Sequence, residues 1–134
     1  QAGADEVLVA PDLQFTRSVK TLTKGHGVDV VLEIIGSLAF EESVRSLAVG
    51  GRLVMVGNLE TRPVDFMPGL MILKELEFIG SYATTPDELT EAFRLVEAGS
   101  IKPMLAATLP LAEAAQAHKM LFERGVTGRL ALEI

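Results

Sequence analysis

Short apolar runs alternate with amphipathic segments along the first half of the chain. The runs EVLVA, VDVVLEII and GRLVMVG occupy residues 6–10, 28–35 and 51–57. They are rich in β-branched residues, and they are too short and too continuously apolar for amphipathic helices. Strands of this character are buried on both faces, as the strands of parallel sheets are. The three runs therefore predict three parallel strands.

The two segments between these runs have helical periodicity. Gly25 can end the first predicted helix, and Ser37 is a candidate N-cap for the second. Because strands and helices alternate, the pattern predicts right-handed β-α-β crossovers and an α/β fold with helices on both faces of a parallel sheet. Each helical segment carries three apolar residues on one face, namely Phe15, Val19 and Leu22 in the first and Phe40, Val44 and Leu47 in the second.

The second half of the chain continues with strands and helices. Residues 76–83, LEFIGSYA, predict a strand after a short helical piece at residues 71–74. The segment 111–125 repeats the helical pattern. Residues 128–134, GRLALEI, alternate as a strand that places its leucines and the final isoleucine on one face.

Helix signals are most complete between Thr85 and Gly99. Thr85 can cap the helix, Pro86 fits its first position, and Asp87 and Glu88 suit the positive end of the helix dipole. Gly99 can end it. The predicted buried stripe of this helix consists of Leu89, Phe93 and Val96.

Length, charge and residue usage narrow the function classes. A chain of 134 residues with 49% hydrophobic content has the size of one domain and can build a core. A net charge of −6 without a basic run argues against a nucleic-acid partner. The chain has no cysteine and only two histidines, so a zinc site within it would depend on carboxylates. No apolar stretch reaches the roughly 20 residues that span a bilayer, and the first residues do not resemble a signal peptide, so we expect a cytoplasmic protein without a membrane partner.

Candidate chemistry lies at the ends of the predicted strands, where open α/β sheets bind their ligands. Gly36 and Gly57 follow two of these strands, and they either let the backbone approach a ribose or ring closely or merely turn the chain. Glu33 lies inside an apolar strand, where a carboxylate is costly unless it is solvated, paired or hydrogen-bonded. Its simpler interpretation is a strand-end side chain that is partly solvated or accepts backbone donors. A general base is the alternative, and we assign Glu33 no catalytic role.

The remaining polar candidates give weaker signals. His118 shares a predicted helical face with apolar residues, which favours a core or core-edge histidine bonded to backbone over a base. His26 lies between two glycines and is interpreted as a solvated loop residue. Tyr82 follows a strand but has no Lys or Ser partner at a recognisable spacing. Arg129 starts the last strand, where a guanidinium could bind phosphate, although its spacing alone favours a surface charge.

Five motifs follow one another along the chain, namely GADEVL, LTKGHGVDVVLEIIG, LAVGGRLVMVG, LEFIGSYATTPDELTEAFRLVEAGSIKP and LPLAEAAQAHKMLFERGVTGRLALEI. Taken in this order, they resemble the C-terminal half of the medium-chain, zinc-type alcohol dehydrogenase and quinone oxidoreductase superfamily. The resemblance covers essentially the whole chain. It implies a protein that transfers a hydride between NAD or NADP and an alcohol or carbonyl, or an activated alkene.

The resemblance also implies roles for individual residues. Arg129 corresponds to a basic position that contacts the pyrophosphate, and His118 matches a common position in the penultimate helix. Gly80, Ser81 and Tyr82 would present backbone groups to the carboxamide of the cofactor. The residues that would line the nicotinamide and its ribose are Ile34, Ile35, Gly36, Val56, Gly57 and Asn58.

By this resemblance, the chain is a partial enzyme. The first β-α-β unit of a Rossmann domain, with its G-x-G-x-x-G turn, would lie upstream, as would the catalytic domain in which zinc-dependent members hold their metal. We expect residues 1–103 to form a partial nucleotide-binding domain and residues 104–134 a C-terminal β-α-β piece that returns to the catalytic domain. The chain alone should be inactive. A non-catalytic nucleotide-binding or dimerisation module is the alternative, and a methyltransferase explains the missing first turn no better.

The family's strand order, 3-2-1-4-5-6, predicts a gap between residues 6–10 and 28–35 if the first two strands are missing. Unpaired backbone groups on both sides of a gap cost free energy. We therefore expect the gap to be closed, by residues 6–10 moving beside residues 28–35, by a second chain or by a further segment of the parent protein. A homo-oligomer is accordingly expected over a monomer.

Overall fold

The computed structural model describes residues 3–123 and 125–134, which divide into two compact units. The first unit ends at Ala83, and the second runs from Thr84 to Ile134. Within the described residues, none of the helices has the length and apolar character needed to cross a membrane.

The first unit contains a three-stranded parallel sheet in the order β1-β2-β3. Leu53 in the central strand lies opposite Val31 on one side and Phe78 on the other. Parallel pairing brings the carboxyl ends of all three strands to the same edge. The unit's elements are α1 (Thr16–Leu22), β1 (Val28–Glu33), α2 (Phe40–Ser46), β2 (Leu47–Met55), α3 (Pro68–Lys74) and β3 (Glu77–Gly80).

The core of this unit forms where α2 packs on the sheet. Val44, Leu47, Leu53 and Leu76 are buried, and each contributes about 1.5–3 kcal/mol relative to an exposed side chain. Three phenylalanines pack against this cluster with ring centroids 5.2 to 6.1 Å apart, namely Phe40, Phe66 and Phe78.

The second unit contains the predicted C-terminal β-α-β piece. Its two strands, β4 (Leu105–Pro110) and β5 (Arg129–Glu133), pair in parallel, and α5 (Ala114–Phe122) follows a short 3₁₀ turn between them. The unit begins with α4 (Pro86–Glu97). The α/β class with parallel sheets is as the sequence predicts.

The predicted cap of α4 is confirmed in detail. The backbone amide of Glu88 donates to the Thr85 hydroxyl at 3.3 Å, and the amide of Thr85 donates to the Glu88 carboxylate at 2.7 Å. Pro86 occupies the first turn, as predicted. This reciprocal capping box satisfies two of the amides that a helix start leaves without partners.

The predicted strand at residues 6–10 does not form. Val7 and Val9 are 76% and 88% exposed, and β1 pairs only with β2 among the described residues. A strand is defined by its partner, and apolar β-branched residues cannot create one without a neighbouring strand. Of the arrangements proposed to close the gap, the pairing of residues 6–10 with β1 is therefore absent from the described part of the chain.

Three further predictions are corrected. Ser37 does not cap α2, which begins after Ala39, because the Ser37 hydroxyl donates to the carbonyl of Glu60 instead. His118 is exposed, since the buried side of α5 is centred on Ala117. The predicted buried stripe of α4 is exposed as well, because periodicity indicates an apolar face but does not provide the surface that covers it. The members of this exposed stripe are Leu89, Phe93 and Val96.

Candidate functional site

The candidate site is the edge at which β1, β2 and β3 end. The backbone amides of Val56 and Gly57, just beyond β2, donate to the carbonyl of Glu33 at 2.8 and 3.2 Å. The amide of Ser81, just beyond β3, donates to the carbonyl of Met55 at 2.9 Å. Backbone hydrogen bonds therefore hold the three strand ends side by side.

Two turns extend from this edge, and we name them the β1 turn (residues 34–37) and the β2 turn (residues 56–60). The amide of Leu59 donates to the carbonyl of Ile35 at 2.9 Å, and the Ser37 hydroxyl donates to the carbonyl of Glu60. Gly36 also forms an isolated parallel bridge with Glu60. The two turns run alongside each other as one backbone surface.

Glycine is required where these turns touch. Gly36 has φ +89°, and a Cβ at this position would collide with the side chain of Asn58. A Cβ at Gly57 would lie 2.6 Å from the carbonyl oxygen of Ile34. The sequence left two explanations open for these glycines, a turn or close approach to a ligand. The structure adds a third requirement, close approach of the neighbouring turn.

A cavity of about 450 Å³ opens beside the β2 turn. Its lining combines apolar side chains with the polar Ser37 and Asn58, which is the mixture that small-molecule sites use. Val56 is half exposed there, and Ile34 on the β1 turn is 61% exposed. The cavity is lined by Ser37, Phe40, Met55, Val56, Gly57, Asn58 and Val64.

Some lining residues had no functional signal in the sequence. Phe40 has the spacing of a core-facing helical residue, and Met55 and Val64 have no distinguishing pattern. They reach the cavity because α2 starts close to the strand ends and the chain returns there before α3. Tertiary structure brings them together, so local periodicity cannot identify them.

Glu33 is buried beneath the two turns, with 4% exposure. Its carboxylate accepts the amides of Ile35 and Gly36 at 2.7 and 3.1 Å, together with the buried hydroxyl of Ser43. This geometry matches the interpretation of Glu33 as an acceptor of backbone donors. It also excludes the partly solvated carboxylate that the sequence equally allowed.

The end of β3 completes the edge. Gly80 lies opposite Met55, and Ser81 and Tyr82 follow as exposed residues. The Tyr82 side chain is 98% exposed. The first unit therefore brings together every predicted nicotinamide-lining and carboxamide-contacting residue at one sheet edge.

Arg129 lies in the second unit, as the first residue of β5. Its amide donates to the carbonyl of Met104 at 2.7 Å, which fixes the start of the strand, and its side chain is exposed. The structure thus leaves the guanidinium open to solvent within its own unit.

The described residues do not provide a zinc site. The chain has no cysteine, and within residues 3–123 and 125–134 no three histidine or acidic side chains cluster in a way that could hold a metal.

A second cavity, of about 530 Å³, lies between α2 and the segment before α3. It shares Phe40 with the first cavity, but no predicted site residue lines it.

The chain is similar to known proteins over nearly its whole length. The acryloyl-coenzyme A reductase of Metallosphaera sedula is 32% identical over 130 residues, covering 96% of this chain and 37% of that protein. The crystal structure of AibC matches with a TM-score of 0.89 at 52% identity, covering 97% of this chain and 36% of that one. A mycobacterial protein complexed with NADPH, Rv1454c, matches with a TM-score of 0.75 at 30% identity, covering 98% of this chain and 44% of that one.

This chain therefore spans between 36% and 44% of the length of these proteins. A family model described as zinc-binding dehydrogenase matches residues 2–132. The resemblance drawn from the ordered motifs is confirmed, and the chain belongs to the zinc-binding dehydrogenase family.

Proposed function

We propose that the protein carrying this chain is an NAD- or NADP-dependent oxidoreductase that transfers a hydride between its cofactor and an alcohol, a carbonyl or an activated alkene. The observation that supports this most is the convergence of three parallel strand ends beside a cavity of about 450 Å³. Nucleotide cofactors bind at this edge in parallel α/β sheets. One relative is named an acryloyl-coenzyme A reductase, and the structure of another contains NADPH. An activated alkene is therefore the first substrate class to test.

The chain's own residues would position the cofactor, and a bound nicotinamide would supply or accept the hydride. Ile34 and Val56 expose apolar side chains that could pack on the ring and exclude water. Asn58 offers an amide at the cavity wall. Ile35, Gly36 and Gly57 would bring backbone close to the ribose.

Two further contacts belong to this proposal. Gly80, Ser81 and Tyr82 would present backbone groups to the carboxamide from the end of β3. Arg129 would bind the pyrophosphate, a contact that suits an exposed guanidinium at a strand start. The isolated chain would not catalyse the reaction, because its sequence contains no G-x-G-x-x-G turn and hence no helix start of that kind for the pyrophosphate.

The proposal is tested by replacing a residue that lines the cavity with a larger one. In the protein as its gene encodes it, Val56→Trp should occupy space that the nicotinamide needs. We expect it to raise the dissociation constant of the preferred reduced cofactor at least about tenfold, a loss of about 1.4 kcal/mol. Calorimetric titration with NADH and NADPH gives both the constant and the coenzyme preference.

The matched control is Val49→Trp, in the β2 strand that precedes this turn but outside the cavity, where Val49 is 68% exposed. It should leave the dissociation constant within about twofold of the unmodified protein. Equal effects of the two variants, or no binding of either cofactor by the unmodified protein, would contradict the proposed function. Absorbance assays with an acryloyl thioester, a quinone and an alcohol then separate the substrate classes.

A further inference from the structure

We propose that Glu33 is a positioning residue that fixes both turns of the cofactor site from inside the fold. Resting on the proposed function, the inference assigns Glu33 no contact with cofactor or substrate. Its side chain is 4% exposed and does not line the cavity. Its influence on binding would act through the backbone above it.

One residue holds amides from both turns. The Glu33 carboxylate oxygen Oε1 accepts the amides of Ile35 and Gly36 in the β1 turn, at 2.7 and 3.1 Å. The main-chain carbonyl of the same residue accepts the amides of Val56 and Gly57 in the β2 turn, at 2.8 and 3.2 Å. Side chain and backbone of Glu33 therefore each fix one turn, and the relative position of the turns depends on it.

The second carboxylate oxygen anchors this arrangement to α2. Oε2 accepts the hydroxyl of Ser43, which is 1% exposed in the middle of that helix. With both oxygens bonded, the carboxylate is held in one orientation beneath the β1 turn. The contacts thus connect this turn to α2.

The Glu33 side chain matters because it satisfies the amides of Ile35 and Gly36, which would otherwise bond to water. Gly36 has no side chain to restrict its backbone, and free amides at a strand end would exchange partners with water. A ligand that binds such a turn must also order it, which weakens binding. Glu33 removes that cost before the cofactor arrives.

The test compares variants at the two ends of the carboxylate contact, in the protein as its gene encodes it. Glu33→Ala removes the acceptor of the Ile35 and Gly36 amides and should raise the dissociation constant of the reduced cofactor at least about tenfold. Ser43→Ala removes the anchor but leaves the turn contacts, so it should lower the denaturation midpoint while changing the dissociation constant less than about threefold.

The Glu33→Gln variant distinguishes a positioning role of the Glu33 side chain from a role of its charge. Glu33→Gln retains a carbonyl oxygen for both amides and a donor for Ser43, so binding should return to within about threefold of the unmodified protein. Should Glu33→Ala not fold, Glu33→Asp retains the charge but withdraws its oxygens from the turn by one methylene, and it should show the same loss of affinity. A folded Glu33→Gln variant that binds as poorly as Glu33→Ala would overturn the inference.

Hydrogen exchange gives a readout that does not need the cofactor. In Glu33→Ala, the amides of Ile35 and Gly36 should exchange faster, while those of Val56 and Gly57 keep the main-chain carbonyl and their protection. Unchanged exchange at residues 35 and 36, or unchanged cofactor affinity in a protein that binds the cofactor, would overturn this inference and leave the proposed function standing. A protein that binds no nicotinamide nucleotide would overturn both.

Discussion

At the residue scale, Gly36 is the position in the candidate site where one added methyl group has two costs. The residue is buried with φ +89°, and a Cβ would meet Asn58. Gly50 also has positive φ, +74°, but a Cβ there would meet nothing within 4 Å. Alanine substitutions at Gly50 and Gly36 therefore separate the cost of backbone strain from the cost of a steric clash.

We expect Gly50→Ala to lower the free energy of unfolding by about 1–2 kcal/mol, the cost of left-handed backbone for an L-residue. Gly36→Ala should lower it by about 1–3 kcal/mol more, because the turns must separate. Urea denaturation measures both. Equal losses would show that the two turns accommodate a methyl group, and that their close contact does not require glycine.

Arg129 provides a second test at this scale. If its exposed guanidinium binds the pyrophosphate, Arg129→Ala should weaken cofactor binding by about 1.5–3 kcal/mol, the range for a hydrogen bond to a charged group. The rate of hydride transfer at saturating cofactor should change less. A normal dissociation constant with a large loss of rate in single-turnover measurements would assign Arg129 another role.

At the element scale, α1 depends on a carboxylate from another helix. Glu42 in α2 accepts the amides of Phe15 and Thr16 at 2.9 and 2.7 Å. Burial alone would raise the pKa of Glu42, but hydrogen bonds from Thr16 and Phe15 and the charge of Arg45 together hold that pKa below its ordinary value of 4.5. The ionised carboxylate thus caps α1 and joins it to α2.

A depressed folded-state pKa means that the unfolded chain binds the proton more readily. The stabilisation is therefore complete above the ordinary pKa and is lost as pH falls through the lower folded-state value. Glu42→Gln should cost about 1 kcal/mol at neutral pH, and the difference from the unmodified protein should shrink below pH 4.5. Denaturation midpoints measured from pH 7 to pH 3 test this prediction. A difference between the two proteins that stays constant over this range would contradict it. Glu41→Gln, on the same helix but exposed, is the control.

The elements that the sequence predicts well are those whose signals are local. Thr85, Pro86 and Glu88 specify the start of α4 through contacts within one turn. Residues 6–10 have equally clear strand composition but form no strand, since pairing needs a distant neighbour. The predicted burial of His118 and of the α4 stripe was wrong for a related reason, because burial depends on what covers a helix face. The position of Gly36 and Gly57 at this edge was predictable because strand ends in parallel sheets share an edge, and the other predicted site residues followed from the ordered motifs. Phe40 and Val64 reach the edge only through the tertiary fold.

At the scale of the whole molecule, the isolated chain leaves much apolar surface uncovered. Residues 6–9 are exposed, as is the face of β1 that carries Val30 and Leu32. Within the described residues, β1 is an edge strand. Apolar edge strands associate with other chains. We expect the isolated 134-residue chain to form oligomers whose size rises with concentration in light scattering.

Placing charge on that face should reduce association. Leu32→Lys is the test, and Leu73→Lys on α3 is the control, because Leu73 is 80% exposed but does not lie in a strand. Hydrogen exchange locates the contact, which should protect amides in residues 6–10 or 28–33. A monomer in which residues 6–10 exchange at unprotected rates would contradict the expectation that the gap is closed.

The exposed end of β3 has an optical consequence. Tyr82 is the only tyrosine of the chain, which contains no tryptophan, so tyrosine emission from the isolated chain reports on that strand end alone. Because the ring is 98% exposed, its emission should resemble that of free tyrosine and change when anything covers it. Titration with reduced nicotinamide nucleotide, corrected with tyrosine amide for absorbance of the exciting light, then shows whether this edge retains affinity by itself. The chain carries its own fluorophore at the predicted carboxamide contact.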